Sequence, residues 1–145
     1  MLRKILFPTD FSEHSVEVKK QLKKLAQMNK ELILLHVLDD RVFSLVDGID
    51  SIEIENFNIM GELSNSAKLN LENWKAEFLK AGFKKVRIII MEGRPFSTIL
   101  DIAQQKKVTS IFLGHQGLGA VERMLLGSTA EKVARKAEVP VVLIK

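Results

Sequence analysis

The run Leu32-Ile33-Leu34-Leu35-His36-Val37 decides the fold. Its apolar residues do not alternate with polar ones. A strand with one wet face alternates, because successive side chains point to opposite sides of the sheet. An unbroken run marks a strand buried on both faces, the condition of a parallel sheet covered by helices. Working outward, four further runs carry the same signature: Ile5-Leu6-Phe7, Val86-Arg87-Ile88-Ile89-Ile90, Ile111-Phe112-Leu113 and Val139-Pro140-Val141-Val142-Leu143-Ile144.

Helical patterns lie between these runs. Ser12 is placed to cap a helix whose Val18, Leu22, Leu25 and Ala26 share one face. Leu63, Ala67, Leu71, Trp74 and Phe78 recur at three- and four-residue steps, and Gly82 follows where a left-handed residue ends a helix. Pro95 suits a first helical turn and precedes Phe96, Ile99, Leu100 and Ala103. Ala130, Val133, Ala134 and Ala137 form a fourth face. Strands alternating with helices predict an α/β fold: three layers, an open parallel five-stranded sheet with right-handed crossovers, and helices on both faces. Residues 40–61 fit this scheme least. They mix Phe43, Leu45, Val46, Ile49, Ile52, Ile54, Phe57 and Ile59 with many acids, and read as a long insertion after the second strand, with a short helix inside it as the alternative to a plain loop. With 145 residues and no linker, residues 1–145 are expected to form a single domain.

Composition removes whole classes of function. Cysteine is absent, which excludes disulfides, thiolate catalysis and iron–sulfur ligation. No stretch approaches the roughly 18 apolar residues of a membrane span. The opening Met1–Phe7 is too short for a signal peptide, so a cytoplasmic protein is expected. The net charge of +4 suits an anionic ligand without establishing one. Lys19, Lys20, Lys23 and Lys24 read as the solvated side of a helix, because no aromatic residues are interleaved as nucleic-acid binding would want.

The glycines are grouped. Gly114-His115-Gln116-Gly117-Leu118-Gly119 follows the fourth strand, and Gly127-Ser128-Thr129 opens the fourth helix, giving G-x-x-G, nine residues, then G-S. Glycine lets backbone N–H groups approach a phosphate chain, and a helix N-terminus offers free donors to an anion. Turn-forming glycines and a capping Ser128 would account for the spacing equally well. The end of the first strand, Pro8-Thr9-Asp10, adds a second element. With strand order 3-2-1-4-5, the crevice at the reversal point lies between strands 1 and 4, and both loops line it. Asp10 there has two available roles, accepting from a base amine or ribose hydroxyl, or capping the first helix.

At these residues the chain resembles the universal stress protein family of the ATP-binding type. The likeness rests on Asp10 within ILFPTDFSEHS (Ile5–Ser15), on Gly114/Gly117/Gly127-Ser128, on Leu32–Val37 followed by Asp39, on Glu92-Gly93-Arg94-Pro95, and on the closing Pro140–Ile144. It implies an adenine nucleotide alpha hydrolase-like, Rossmann-like fold and an ATP site. Pro8, Thr9 and Asp10 would border adenine and ribose, and Val37 would pack on adenine. Gly114, His115, Gln116 and Gly117 would wrap ribose and phosphates, while Gly127, Ser128 and Thr129 would hold the phosphates. The family commonly has a small hydroxyl residue after the first glycine and a polar one after the second; here His115 and Leu118 stand there. Affinity would then rest on backbone donors, with Arg123 the nearest available compensating charge.

Other chemistries lack their motifs. There is no G-x-x-x-x-G-K-[ST], no G-x-G-x-x-G after the first strand, no G-x-S-x-G and no H-E-x-x-H. His14, His36 and His115 lack ligand-like spacing, so any Mg²⁺ is expected on the phosphates rather than on a protein cluster. A phosphorelay receiver would need an Asp where Met91-Glu92-Gly93 stands, and an FMN carrier would need a glycine loop after the first strand. The expected function is therefore an ATP-binding regulatory protein. Alternatives are a slow ATPase, or a dimeric partner-binding protein with a vestigial pocket. Strand 5 would be an exposed apolar edge, and together with the resemblance it predicts a homodimer through residues 139–144.

Overall fold

The computed structural model describes residues 2–26, 30–41, 53–116 and 126–145, with residues 53–60 described as backbone only. In chain order the elements are β1 (Lys4–Pro8), α1 (Glu13–Lys24), β2 (Glu31–Asp39), α2 (Glu53–Ala81), β3 (Lys85–Gly93), α3 (Pro95–Gln105), β4 (Ser110–Gly114), α4 (Ser128–Lys136) and β5 (Val141–Ile144). The five strands form one sheet in the expected order β3-β2-β1-β4-β5. Every pairing is parallel; Leu34, for example, lies opposite Phe7 on one side and Ile88 on the other.

The unbroken apolar runs have a simple cause. Alternate residues of each strand enter two different cores. Ile5, Phe7, Leu32, Leu34 and Phe112 meet Val18, Leu22, Leu71 and Phe78 from α1 and α2. Leu6, Ile33, Leu35, Ile111 and Leu113 meet Ile99, Ile102 and Val133 from α3 and α4. Phe7 stacks on Trp74 at 5.8 Å and meets Phe78 edge-on at 6.3 Å.

Local signals set the ends. Ser12 is the N-cap of α1; its Oγ accepts from the Ser15 N–H at 3.4 Å, and Glu13, Lys23 and Lys24 complement the helix dipole. Pro95 opens α3. Gly82 ends α2 at φ +120°, and the Phe83 N–H returns to the Phe78 carbonyl at 3.1 Å.

Three expectations need correction. Helix α2 begins at Glu53, so residues 53–61 belong to it and not to an inserted loop; residues 42–52 lie outside the described residues. Leu63 is 42% exposed rather than on the buried face with Ala67, Leu71 and Phe78. Both follow from length. The 29 residues of α2 span about 44 Å, against about 30 Å for the nine of β2, so the start of α2 overhangs the carboxyl edge of the sheet. Ala134 is exposed, since the short α4 buries only Ala130 and Val133.

Candidate functional site

The turn after β1 builds one wall. The Thr9 N–H donates to the Leu35 carbonyl at 2.8 Å, continuing the sheet by one bond. Thr9 Oγ1 accepts from the Phe11 N–H at 3.0 Å, across a turn in which Phe11 takes φ +62°. Asp10 Oδ1 accepts from the Ser12 N–H and from Ser15 Oγ, each at 3.0 Å. The carboxylate is thus anchored on the start of α1, which is the capping role, and it still lines the cleft. His36 Nδ1 lies 2.8 Å from the Thr9 carbonyl. A carbonyl only accepts, so Nδ1 is the donor in this bond. His36 is therefore tied to the turn after β1 through Nδ1.

The opposite wall comes from β4 and α4. Gly127 is the N-cap of α4 and Ser128 its first residue. The Gly127 N–H is spent on the His115 carbonyl at 2.7 Å, and the first intrahelical bond runs from the Glu131 N–H to the Gly127 carbonyl at 2.9 Å. The N–H groups of Ser128, Thr129 and Ala130 therefore have no partner within the helix, and all three residues line the cleft. Gly114 has a different reason to be glycine. A Cβ there would lie 2.8 Å from the His14 Cβ and 3.2 Å from the His14 carbonyl carbon. Close approach of α1 demands the glycine whether or not a ligand is bound.

Between the walls runs a cleft of about 690 Å³ at the carboxyl edge of the sheet, spanning β1 and β4. Pro8, Thr9, Asp10, Val37, Gly114, Gln116, Gly127, Ser128 and Thr129 all border it. His115 does not follow them. Its ring packs edge-on against His14 at 4.8 Å, with a buried Nδ1 that has no hydrogen-bond partner among the described residues. Its backbone does the work of a joint, since its N–H donates to the Ile144 carbonyl at 3.0 Å while its carbonyl takes the Gly127 N–H. Gly117, Leu118 and Arg123 lie outside the described residues.

The cleft also takes in residues that sequence reasoning missed. Leu63, Ser66, Ala67 and Asn70 enter from the overhanging start of α2, and Phe11 stands beside His36 at 4.9 Å between ring centres. Asp39 and Arg41 complete the β2 end. Arg41 grips Asp39 with Nη2–Oδ2 at 2.6 Å and Nε–Oδ1 at 2.9 Å. The guanidinium holds the Asp39 carboxyl below its ordinary value and is itself raised. The usable signal was Arg41 itself, the one base among seven acids in residues 39–62. Ser66 and Asn70 gave none, because an exposed polar helix face looks the same whether it meets water or a ligand. Among the described residues no three His, Asp or Glu side chains are grouped to hold a metal ion, and no helix is long and apolar enough to cross a membrane.

A family model described as the universal stress protein family matches residues 1–145. A universal stress protein of Methanocaldococcus jannaschii is 37% identical over an alignment covering all of this chain and 96% of its own. A solved structure of a hypothetical protein, titled as a structure-based assignment of its biochemical function, superposes with TM-score 0.89 at 37% identity, covering all of this chain and 96% of that one. A universal stress protein from Archaeoglobus fulgidus, solved in complex with dAMP, superposes with TM-score 0.65 at 22% identity over the full length of both chains.

Proposed function

The chain belongs to the universal stress protein family, and from that premise we propose that it is an ATP-binding regulatory protein of the cytoplasm, holding the nucleotide in the cleft between β1 and β4. One observation carries the reading: a cleft of about 690 Å³ has an apolar slot of Val37, Ile99 and Leu113 and, on its α4 side, three helix N–H groups without an intrahelical partner. Apolar slot and anion seat are the two halves of a nucleotide site, and the volume lies within the usual range for small-ligand pockets. A relative of the same fold was solved with dAMP, which supports an adenine nucleotide as the occupant.

In this reading Val37 packs on adenine, and Pro8, Thr9 and Asp10 border adenine and ribose. Gly114, Gln116 and Gly117 wrap ribose and phosphates, while His115, whose backbone N–H and carbonyl are taken by Ile144 and Gly127, ties that turn to β5 and α4 without touching the nucleotide, and Ser128 and Thr129 seat the phosphates. Mg²⁺ rides on the phosphates and water, with at most one side-chain contact, from Asp10 or Ser128. Binding without rapid hydrolysis is favoured because Arg41, the described cation in the cleft wall, follows β2, two strands from the glycine turn, and is held by Asp39. Charge on a transferring phosphoryl group would want a cation beside the phosphate seat. Two chains are proposed to pair through residues 139–144, because β5 is an edge strand and its Leu143 is 37% exposed.

Ser128→Glu tests the site. An acid in the first turn favours the helix but repels phosphate, so the fold is kept while binding suffers. Calorimetry should give saturable ATP binding to the wild type and at least about a tenfold weaker constant for the variant, near 1.4 kcal/mol. Equal affinities in the two proteins, or no ATP binding by the wild type, would end the proposal.

A further inference from the structure

The geometry points to a second anion site at the opposite, amino-terminal edge of the sheet. We propose that it takes a small phosphorylated anion carrying two or more negative charges. A cavity of about 480 Å³ opens there, lined by Arg3, Lys4, Glu31, Lys84, Lys107 and Thr109. Four cations surround it against one acid. They come from three separate places in the chain: Arg3 and Lys4 at the start of β1, Lys84 in the turn before β3 and Lys107 in the turn after α3. None of the four enters an ion pair among the described residues. Elsewhere on the surface this protein pairs its charges across elements, as Lys19 and Lys23 do with Glu77 at 2.8 and 2.9 Å. Gathering four unpaired cations around one hollow costs repulsion that a bound anion removes.

Two further observations separate this hollow from scattered surface lysines. The backbone of its rim is fixed. The Lys4 N–H donates to Thr109 Oγ1 at 3.0 Å, and the Thr109 N–H donates back to the Lys4 carbonyl at 2.8 Å. The Glu31 N–H holds the Arg3 carbonyl at 2.9 Å, and the Lys84 N–H holds the Lys30 carbonyl at 2.9 Å. The cationic side chains thus spring from positions set before any ligand arrives, which lowers the ordering cost of binding. Behind the rim stands Lys30, only 5% exposed, its ammonium on the Leu2 carbonyl at 3.0 Å and with no carboxylate in ion-pair range among the described residues. A buried positive charge without a counter-ion adds to the field over the hollow, and burial weakens its screening. The compact volume and the absence of an aromatic stacking surface among the described lining residues favour a small phosphate compound over a single-stranded nucleic acid.

The site stands apart from the proposed nucleotide cleft, because the two lie at opposite ends of parallel strands, and the test keeps them apart. Inorganic diphosphate is titrated into uniformly ¹⁵N-labelled protein while amide shifts are followed. Saturable shifts at Lys4, Lys84, Lys107 and Thr109 are expected, distinct from any at Ser128–Ala130. Lys84→Gln/Lys107→Gln changes two exposed side chains, should leave the remaining spectrum in place, and should weaken the first set at least about tenfold. Absence of shifts at those four amides at millimolar diphosphate would overturn the proposal. So would equal affinity in the double variant, or saturable binding of a single-stranded RNA at these residues with none of diphosphate.

Discussion

Replacing Gly114 by alanine separates packing from ligand binding. The added Cβ would sit 2.8 Å from the His14 Cβ, 3.2 Å from the His14 carbonyl carbon and 3.2 Å from the Gln116 carbonyl oxygen. Two of these three atoms are backbone and the third is fixed to it, so no flexible side-chain end can swing away. The turn after β4 or the first turn of α1 must shift. Overpacking of this kind costs about 1–3 kcal/mol. For a chain of this size each kcal/mol moves the melting temperature by about 3–4 °C, so Gly114→Ala should melt about 3–12 °C below the wild type with no nucleotide present. A cycle with His14→Gly sharpens the test. That change costs only about 0.5 kcal/mol through helix propensity, and it deletes the nearest clashing atom. Gly114→Ala should therefore be cheaper in the His14→Gly background, with a coupling of at least about 0.5 kcal/mol. Calorimetric melting of the four proteins measures this. An unchanged melting temperature for nucleotide-free Gly114→Ala, with only ATP affinity reduced, would show that the glycine serves the ligand and that the steric reasoning is wrong.

The acid limb of stability should carry the signature of Glu77, whose carboxyl is held below its ordinary value first by Lys19 and then by Lys23. A lowered folded value means stability present above the unfolded value and lost as pH falls through the folded one. Urea titrations of wild type and Glu77→Gln should therefore differ at neutral pH and converge at the acid end. The gap should be no more than about 1 kcal/mol, because Glu77 is 41% exposed, and it should narrow in high salt. The β5 edge should make a dimer: sedimentation equilibrium is expected to give twice the chain mass at micromolar concentration. Leu143→Pro removes an N–H from the free side of β5, since Pro140, Val142 and Ile144 turn their backbone groups towards β4; it should shift the protein towards monomer, whereas an unaltered folded dimer would move the interface elsewhere.

The fold was legible because both cores need the same residue type from every strand. Leu32 to Leu35 feed one core and then the other, and that demand writes itself as an unbroken apolar run. The helix ends at Ser12, Gly82 and Pro95 were legible because each answers to a local rule that no distant contact overrides. The start of α2 was not, since residues 53–61 carry acids among apolar groups and their helix extends beyond the sheet that would explain its pattern. At the site, strand order and glycine spacing pointed to the two loops, the family resemblance added Val37 and Gln116, and nine of the proposed residues border one cleft. The purpose of Gly114 was hidden, because its neighbour in space is His14, a hundred residues earlier. For the same reason His115 looked like a lining residue when its ring belongs to the contact with α1.

The turn after β1 shows how little freedom the cleft has. A phenylalanine at φ +62° costs about 1–2 kcal/mol relative to ordinary backbone. The turn persists because several contacts depend on it together. Thr9 Oγ1 takes the Phe11 N–H, Asp10 reaches back to Ser12 and Ser15, and the Phe11 ring settles 4.9 Å from His36 and 5.3 Å edge-on to Trp74. Glycine at position 11 would relieve the backbone but delete both ring contacts. A β-branched residue would worsen the strain. His36, held by the Thr9 carbonyl, then fixes the height of β2 against the same turn. Trp74 in turn stacks on Phe7 in the core. The cleft floor and the α1–α2 core are therefore one continuous aromatic packing, and Asp10 is aimed by the core rather than by a loop free to choose its own path.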